Sequence, residues 1–221
     1  MGSMTTLTAA DGHTLAAYIT EPRGAAKGGL VVIQEIFGVN GHIRSVCDGF
    51  AADGYYCVAP ALFDRVQPGV DLGYSSDDVA KGRDLRGRMN WADCMKDVTA
   101  AVTAATGAGR VGTVGYCYGG GVTWLAAAEI PGLSASVGYY GGPWAELADR
   151  APRCPALLHF GARDAMIPVS LAVDLKAKHP TIACHVYEAD HGFNCDQRVH
   201  YDAFAATLAR RRTLAFFEAL L

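Results

Sequence analysis

The sequence predicts an α/β fold in which helices cover both faces of a mainly parallel central sheet. Three observations carry that reading. Segments rich in β-favouring residues alternate with helical ones along the whole chain, as the crossover connections of a parallel sheet require. The run Leu30-Val31-Val32-Ile33 is apolar without alternation, the pattern of a strand buried on both faces. At residues 110–121 a β-type segment passes into a helical one through Gly115-Tyr116-Cys117-Tyr118-Gly119, a sharp strand-to-helix turn.

Length and composition bound what the chain can be. Its 221 residues fit one domain, and 51% hydrophobic against 19% charged residues describe a globular protein able to bury a core without disulfides or metals. Met1-Gly2-Ser3 ahead of Met4 reads as an expression scar, which leaves residues 4–221 as the domain. A net charge of −3 with no basic face gives a nucleic acid nothing to bind. Arg210-Arg211-Arg212 reads as the solvated end of a helix, complementing its dipole. The seven cysteines are odd in number, scattered and without a C-x-x-C pair, so reduced thiols are expected rather than a disulfide framework or a zinc site. No secretory signal pattern opens the chain and no apolar run is long enough to span a bilayer; the cytoplasm is the expected location.

In chain order, residues 5–9 and 13–20 are β-type runs joined by Asp11-Gly12, a hairpin signal at a sheet edge. Residues 42–53 form a helix with Ile43, Val46, Cys47 and Phe50 at helical spacing and Gly54 as its stop. Residues 55–59 form the next parallel strand. Residues 62–90 lack sustained periodicity and are expected to make a flap over the strand ends, with a short helix near residues 77–85. A firmer helix follows at 91–106. Beyond the turn at Cys117 come strands at 133–140, 156–161 and 182–188 and helices at 169–178 and the C-terminus, the last presenting Tyr201, Phe204, Ala205, Leu208 and Ala215 on one side.

Gly115-x-Cys117-x-Gly119 is a nucleophile-elbow pattern with sulfur in the usual place of a serine hydroxyl. Three other reactive side chains also stand just after expected strands: Glu35, Asp164 and His191. Ligands of open parallel sheets bind outside those carboxyl ends. The order cysteine, acid, histidine matches nucleophile, acid and histidine in α/β-hydrolases. His191, oriented by Asp164, would then serve Cys117 as base and later as acid, and the backbone N–H groups of Ile36 and Tyr118 would receive the developing oxyanion. Singly, Asp164 also reads as a turn residue and His191 as a loop histidine. Glu35 is costly to bury without a partner and reads as a neighbour that controls ionisation of Cys117.

With these residues in place, the chain resembles the dienelactone hydrolase family over essentially its whole length. The resemblance lies in Gln34-Glu35-Ile36-Phe37-Gly38, Gly115-Tyr116-Cys117-Tyr118-Gly119-Gly120, Gly161-Ala162-Arg163-Asp164 with Ile167-Pro168, and His191-Gly192-Phe193. It implies an α/β-hydrolase fold without a large cap, hydrolysis of an enol lactone to a keto acid, and no metal or cofactor. It further implies Cys117 as nucleophile, His191 and Asp164 as its partners, and Glu35 as the group that holds the resting thiol and takes its proton when substrate binds.

The family places an arginine just after its His-x-Phe motif to hold the substrate carboxylate, and a second in the flap. Here Asn194-Cys195-Asp196-Gln197 follows Phe193, Arg198 comes later, and Arg83, Arg86 and Arg88 all lie in the flap. Phe37, Trp91, Tyr140, Trp144 and Phe193 are the expected aromatic pocket wall, with Trp91 equally suited to the core. The expected partner is a small lactone or ester, with no nucleic acid or membrane, and the expected state is a monomer or at most a weak dimer. An ordinary carboxylesterase or thioesterase, and a binding protein without catalysis, are the alternative functions of the same architecture.

Overall fold

Asp11-Gly12 turns the chain between strands β1 (Ser3–Thr8) and β2 (Thr14–Thr20), which pair antiparallel; Gly12 takes the turn with φ +85°. The computed structural model describes residues 2–221, so Met1 lies outside the described residues. Ser3 pairs with Ile19, and the Gly2 N–H donates to Tyr18 Oη at 2.8 Å, so residues set aside on sequence grounds extend the edge of the sheet. The remaining strands are β3 (Gly29–Ile33), β4 (Tyr56–Pro60), β5 (Val111–Tyr116), β6 (Leu133–Tyr139), β7 (Ala156–Gly161) and β8 (Ala183–Tyr187).

One eight-stranded sheet runs β1-β2-β4-β3-β5-β6-β7-β8, antiparallel across β1-β2-β4 and parallel from β4 onward. Strands β3, β5 and β7 are buried at every residue, which explains their apolar, non-alternating sequence. This is the expected fold class.

Helices α1 (Gly41–Ala52), α2 (Ser76–Gly87), α3 (Trp91–Ala105), α4 (Tyr118–Glu129), α5 (Ser170–Lys178) and α6 (Ala203–Glu218) connect and follow the strands. Side-chain caps define several starts: Asn40 accepts from Ile43 N–H, Asn90 from Asp93 N–H and Asp202 from Ala205 N–H, while Ser75 and Asp78 form a capping box. Helices α1 and α6 share one face of the sheet, where Phe50, Tyr55 and Phe217 meet edge to face. Helices α3 and α4 pack together and cover strands β3 to β6.

The C-terminal helix corrects two expectations. Its buried face is Ala205, Ala206, Ala209, Thr213 and Phe217, whereas Phe204 is 80% exposed and Tyr201 42%. Alanines every fourth residue let α6 lie close to the sheet, and Thr213 Oγ1 reaches Tyr139 Oη at 2.7 Å and His159 Nε2 at 3.0 Å. Small residues, not the largest apolar ones, mark the buried face of this helix. The Arg210-Arg211-Arg212 run lies inside α6 rather than at its end: Arg210 pairs with Asp53 over the ring of Phe50, and Arg212 lies over Tyr187.

The flap between β4 and α3 is one short 3-10 turn, Leu62–Arg65, and α2. It holds no larger insertion. Gly82 of α2 meets the chain just beyond β3, where an added Cβ would stand 2.3 Å from the carbonyl oxygen of Ile36. No helix among the described residues is long and apolar enough to cross a membrane.

Candidate active site

Cys117 stands between β5 and α4 with φ +54° and ψ −113°, a conformation that non-glycine residues rarely adopt. The turn is tight enough to dictate its neighbours. A Cβ on Gly115 would fall 2.1 Å from the Gly119 carbonyl oxygen, and one on Gly119 would fall 2.6 Å from those of Ile33 and Gln34. The Cys117 N–H is held by the Tyr139 carbonyl at 3.0 Å, which ties the elbow to β6. Helix α4 has no side-chain cap, so its free N–H groups and positive dipole end face the sulfur.

The loops after β7 and β8 bring an acid and a histidine to that sulfur. His191 Nε2 lies 3.2 Å from Cys117 Sγ, and His191 Nδ1 lies 2.7 Å from Asp164 Oδ2. The other oxygen of Asp164 accepts from the N–H groups of Met166 (2.8 Å) and Ile167 (3.1 Å), which fixes the carboxylate in line with the ring. Burial works against charge on His191, but the Cys117 sulfur and Asp164 together outweigh it and raise the imidazole to about 10. Its place between the Cys117 sulfur and the Asp164 carboxylate thus favours the protonated form of His191.

The sulfur opens onto a cavity of about 260 Å³ lined by Ile36, Arg83, Arg86, Cys117, Tyr118, Gly142, Pro143, Glu146 and Met166. The N–H groups of Ile36 and Tyr118 have no hydrogen-bond partner among the described residues, and both residues border this space. Arg86 spans the rings of Trp91 and Tyr118 at 4.9 and 5.4 Å and pairs with Glu146 at 3.5 Å. Arg83 is exposed and forms no ion pair among the described residues. Arg88 pairs with Asp84 away from the cavity.

The expected aromatic wall is placed differently. None of Phe37, Trp91, Tyr140, Trp144 and Phe193 lines the cavity. Trp144 is fully buried against Phe160 with its Nε1–H on the Gly120 carbonyl, and Phe193 packs among Tyr139, Tyr140 and Tyr187. Phe37 is buried against Tyr74, and the ring of Tyr140 stands 5.2 Å from that of His191 as packing for the imidazole. Trp91 lies one layer behind the wall, stacked on Tyr118 with its Nε1–H on Glu146. Large rings at strand ends are drawn inward because burying them stabilises the core by more than a solvated wall position would.

Glu35 is 1% exposed, and its Oε1 accepts from Arg198 Nη1 at 3.1 Å. No hydrogen bond joins Glu35 to Cys117 among the described residues, in contrast to the resting contact that the resemblance implies. The guanidinium offers a charge-assisted bond and the sulfur takes His191 instead. Arg198 crosses directly over Gly192, where a Cβ would lie 2.4 Å from Nη1, so the glycine of His191-Gly192-Phe193 leaves room for the pair. Sequence alone did not reveal this partnership, because Arg198 is displaced from its expected position and only the turn through residues 194–198 brings it back.

Comparison with known proteins decides the family. The Dienelactone hydrolase family matches this chain over residues 15–221. The chain belongs to that family. Carboxymethylenebutenolidases of Pseudomonas putida and Pseudomonas knackmussii are each 34% identical to it over 224 residues, covering 95% of this chain and 93% of theirs. A crystal structure from Klebsiella pneumoniae, named as a candidate dienelactone hydrolase, superposes with a TM-score of 0.84 at 30% identity, covering 98% of both chains. Dienelactone hydrolase from Anabaena variabilis shares the fold at 18% identity with a TM-score of 0.75. As a dienelactone hydrolase family member the protein is a hydrolase, and the cavity above Cys117 occupies the sheet edge where this fold holds its ligands.

Proposed function

We propose that the protein hydrolyses an enol lactone or a closely related ester by cysteine catalysis, with Cys117 as nucleophile, His191 as base and acid, and Asp164 as the residue that orients His191. The observation that carries this is the continuous contact Asp164 to His191 to Cys117, ending in a sulfur that faces an open cavity. Thiolate sulfur attacks the lactone carbonyl carbon, an S–C bond forms, and the carbonyl electron pair moves onto oxygen. The N–H groups of Ile36 and Tyr118 receive that oxyanion. Collapse breaks the ring C–O bond, and the leaving enolate takes a proton from His191 and tautomerises to a ketone. Water, deprotonated by His191, then attacks the thioester; the C–S bond breaks, the acid is released and sheds its proton to solvent, and the thiolate is restored beside protonated His191.

Arg83 and Arg86 favour a substrate that carries its own carboxylate, as the relatives' name carboxymethylenebutenolidase describes for those proteins. Glu35, paired with Arg198 at 3.1 Å, sets the field around the sulfur. The reading is tested by intact-mass trapping with a slowly deacylating enol lactone. A covalent adduct of ring-opened mass on Cys117, absent in Cys117→Ala, is expected; turnover without any adduct and undiminished in Cys117→Ala would overturn it. Faster turnover of a carboxylate-bearing lactone than of neutral aryl esters is expected, with Arg83→Met raising KM for the former alone. Equal rates on both substrates would assign the protein to the general esterases.

A further inference from the structure

Beside the Glu35–Arg198 pair lies a cluster in which His42 and Cys195 take no part in the hydrolytic chemistry. A carboxylate oxygen of Glu35, a ring nitrogen of His42 and the Sγ of Cys195 all lie within 4.8 Å of one another. The three residues are 1%, 3% and 0% exposed. Two of their polar atoms, Glu35 Oε2 and His42 Nε2, are buried with no hydrogen-bond partner among the described residues. An unpartnered buried polar atom costs about 1–3 kcal/mol, so two in residues of one cluster call for something that satisfies both.

The other atoms of two of these groups already have neighbours. His42 Nδ1 stands 3.4 Å from Asp196 Oδ1, and Nε2 is left without a partner among the described residues. Glu35 Oε1 is taken by Arg198, which leaves Oε2. The Tyr74 hydroxyl, which accepts from Asn40 Nδ2 at 3.0 Å, stands on the Cys195 side of the cluster. One thiolate, one imidazole and one carboxylate form a borderline-soft donor set, suited to zinc and unlike the all-oxygen sets of magnesium and calcium.

We infer that Glu35, His42 and Cys195 form a binding site for a zinc-class divalent cation. Zinc bonds of about 2.0–2.3 Å in a tetrahedral arrangement need donors about 3.5 Å apart, so the set closes by about 1 Å on binding. On binding, the Cys195 S–H bond breaks, a sulfur–metal bond forms and the proton passes to solvent. The two anionic ligands balance the charge of the ion. A second cavity, of about 250 Å³ and lined among others by His42, Asn194, Asp196 and Tyr201, reaches the cluster at His42. The ion fixes Glu35, and so ties metal supply to the charge balance beside Cys117. Positions 35, 42 and 195 are too scattered to show any ligand spacing in sequence, which is why the cysteine pattern pointed away from a zinc site.

Cobalt(II) titration tests the inference, because a cobalt–thiolate bond gives charge-transfer absorption in the near ultraviolet that is read without any turnover assay. One equivalent of cobalt with that absorption is expected in the wild-type protein, displaced by zinc. The absorption should persist in Cys117→Ser and disappear in Cys195→Ser, and His42→Gln should weaken binding strongly. Asp196→Asn, a change at an exposed position that leaves folding intact, should weaken binding by about 10–100-fold and decides the matter if either core variant fails to fold. Absence of the absorption in wild type, its loss in Cys117→Ser with retention in Cys195→Ser, or unchanged affinity in Asp196→Asn would overturn the site. None of these readouts depends on which residue attacks the substrate.

Discussion

Arg198 Nη1 donates to Glu35 Oε1 at 3.1 Å, joining residues 163 positions apart and closing the C-terminal loop onto the end of β3. Glu35 is almost wholly buried, while the Arg198 side chain keeps 17% of its surface. A carboxylate in that position is tolerable only with its partner. The pair also explains why the loop after His191 is shaped as it is: the guanidinium passes over Gly192 and lies 5.8 Å from the centre of the Phe37 ring.

The first prediction is therefore about stability. Arg198→Met leaves a buried carboxylate unpaired and should cost about 3 kcal/mol or more in urea denaturation, whereas adding Glu35→Gln to it should recover most of the loss. Equal destabilisation in the single and double variants would show that Arg198 contributes through packing alone.

Selective thiol chemistry is the second. Burial pushes the Cys94 thiol up to about 12 and those of Cys154, Cys184 and Cys195 up to about 11, and it raises Cys47 and Cys57 further. Cys117 alone faces a histidine and a helix start. Limiting iodoacetamide should label Cys117 first, with hydrolysis lost in proportion; peptide mapping that finds another cysteine labelled first, with activity intact, would refute the assignment.

The third concerns the unit formed by Asp164, His191 and Cys117. His191→Ala should lower kcat by several orders of magnitude, and Cys117→Ala added to it should lower it little further, because members of one catalytic unit are not additive. Independent, multiplying losses in kcat would mean that the contact at 3.2 Å is not used in turnover.

Most of the fold was legible because its signals are local. Strand β3 shows itself in four consecutive apolar residues, α1 in Ile43, Cys47 and Phe50 with Gly54 as its stop, and the elbow in glycines whose Cβ atoms would strike the backbone. The side chains brought together at Cys117 were legible for the same reason, since each follows a strand directly. What was not legible depends on tertiary packing. Phe193 and Trp144 sit where a pocket wall was expected and instead fill the core, the alanine face of α6 is invisible to a search for large apolar residues, and the arginines of the flap are sorted only by how α2 lies over Ile36.

The last prediction follows from the charge on His191. Burial alone would lower its affinity for a proton, yet the Cys117 sulfur and Asp164 raise it to about 10, above the ordinary value near 6.5. A group whose pKa is raised by folding stabilises the native state fully below its unfolded value, and that contribution fades as pH rises through the folded value. The His191 contribution is thus present at pH 6, diminishes above about 6.5 and is gone beyond about 10. Wild-type protein should accordingly lose stability relative to His191→Gln as pH is raised towards 10, and the His191 ring protons should titrate in NMR with a midpoint near 10. In Asp164→Asn the midpoint should fall, because one raising partner is removed, and in Cys117→Ser it should fall as well, because the other is. A ring that titrates near 6.5 in the wild type and does not respond to either substitution would mean that His191 is not held between Asp164 and Cys117, and that Cys117 must find its base elsewhere.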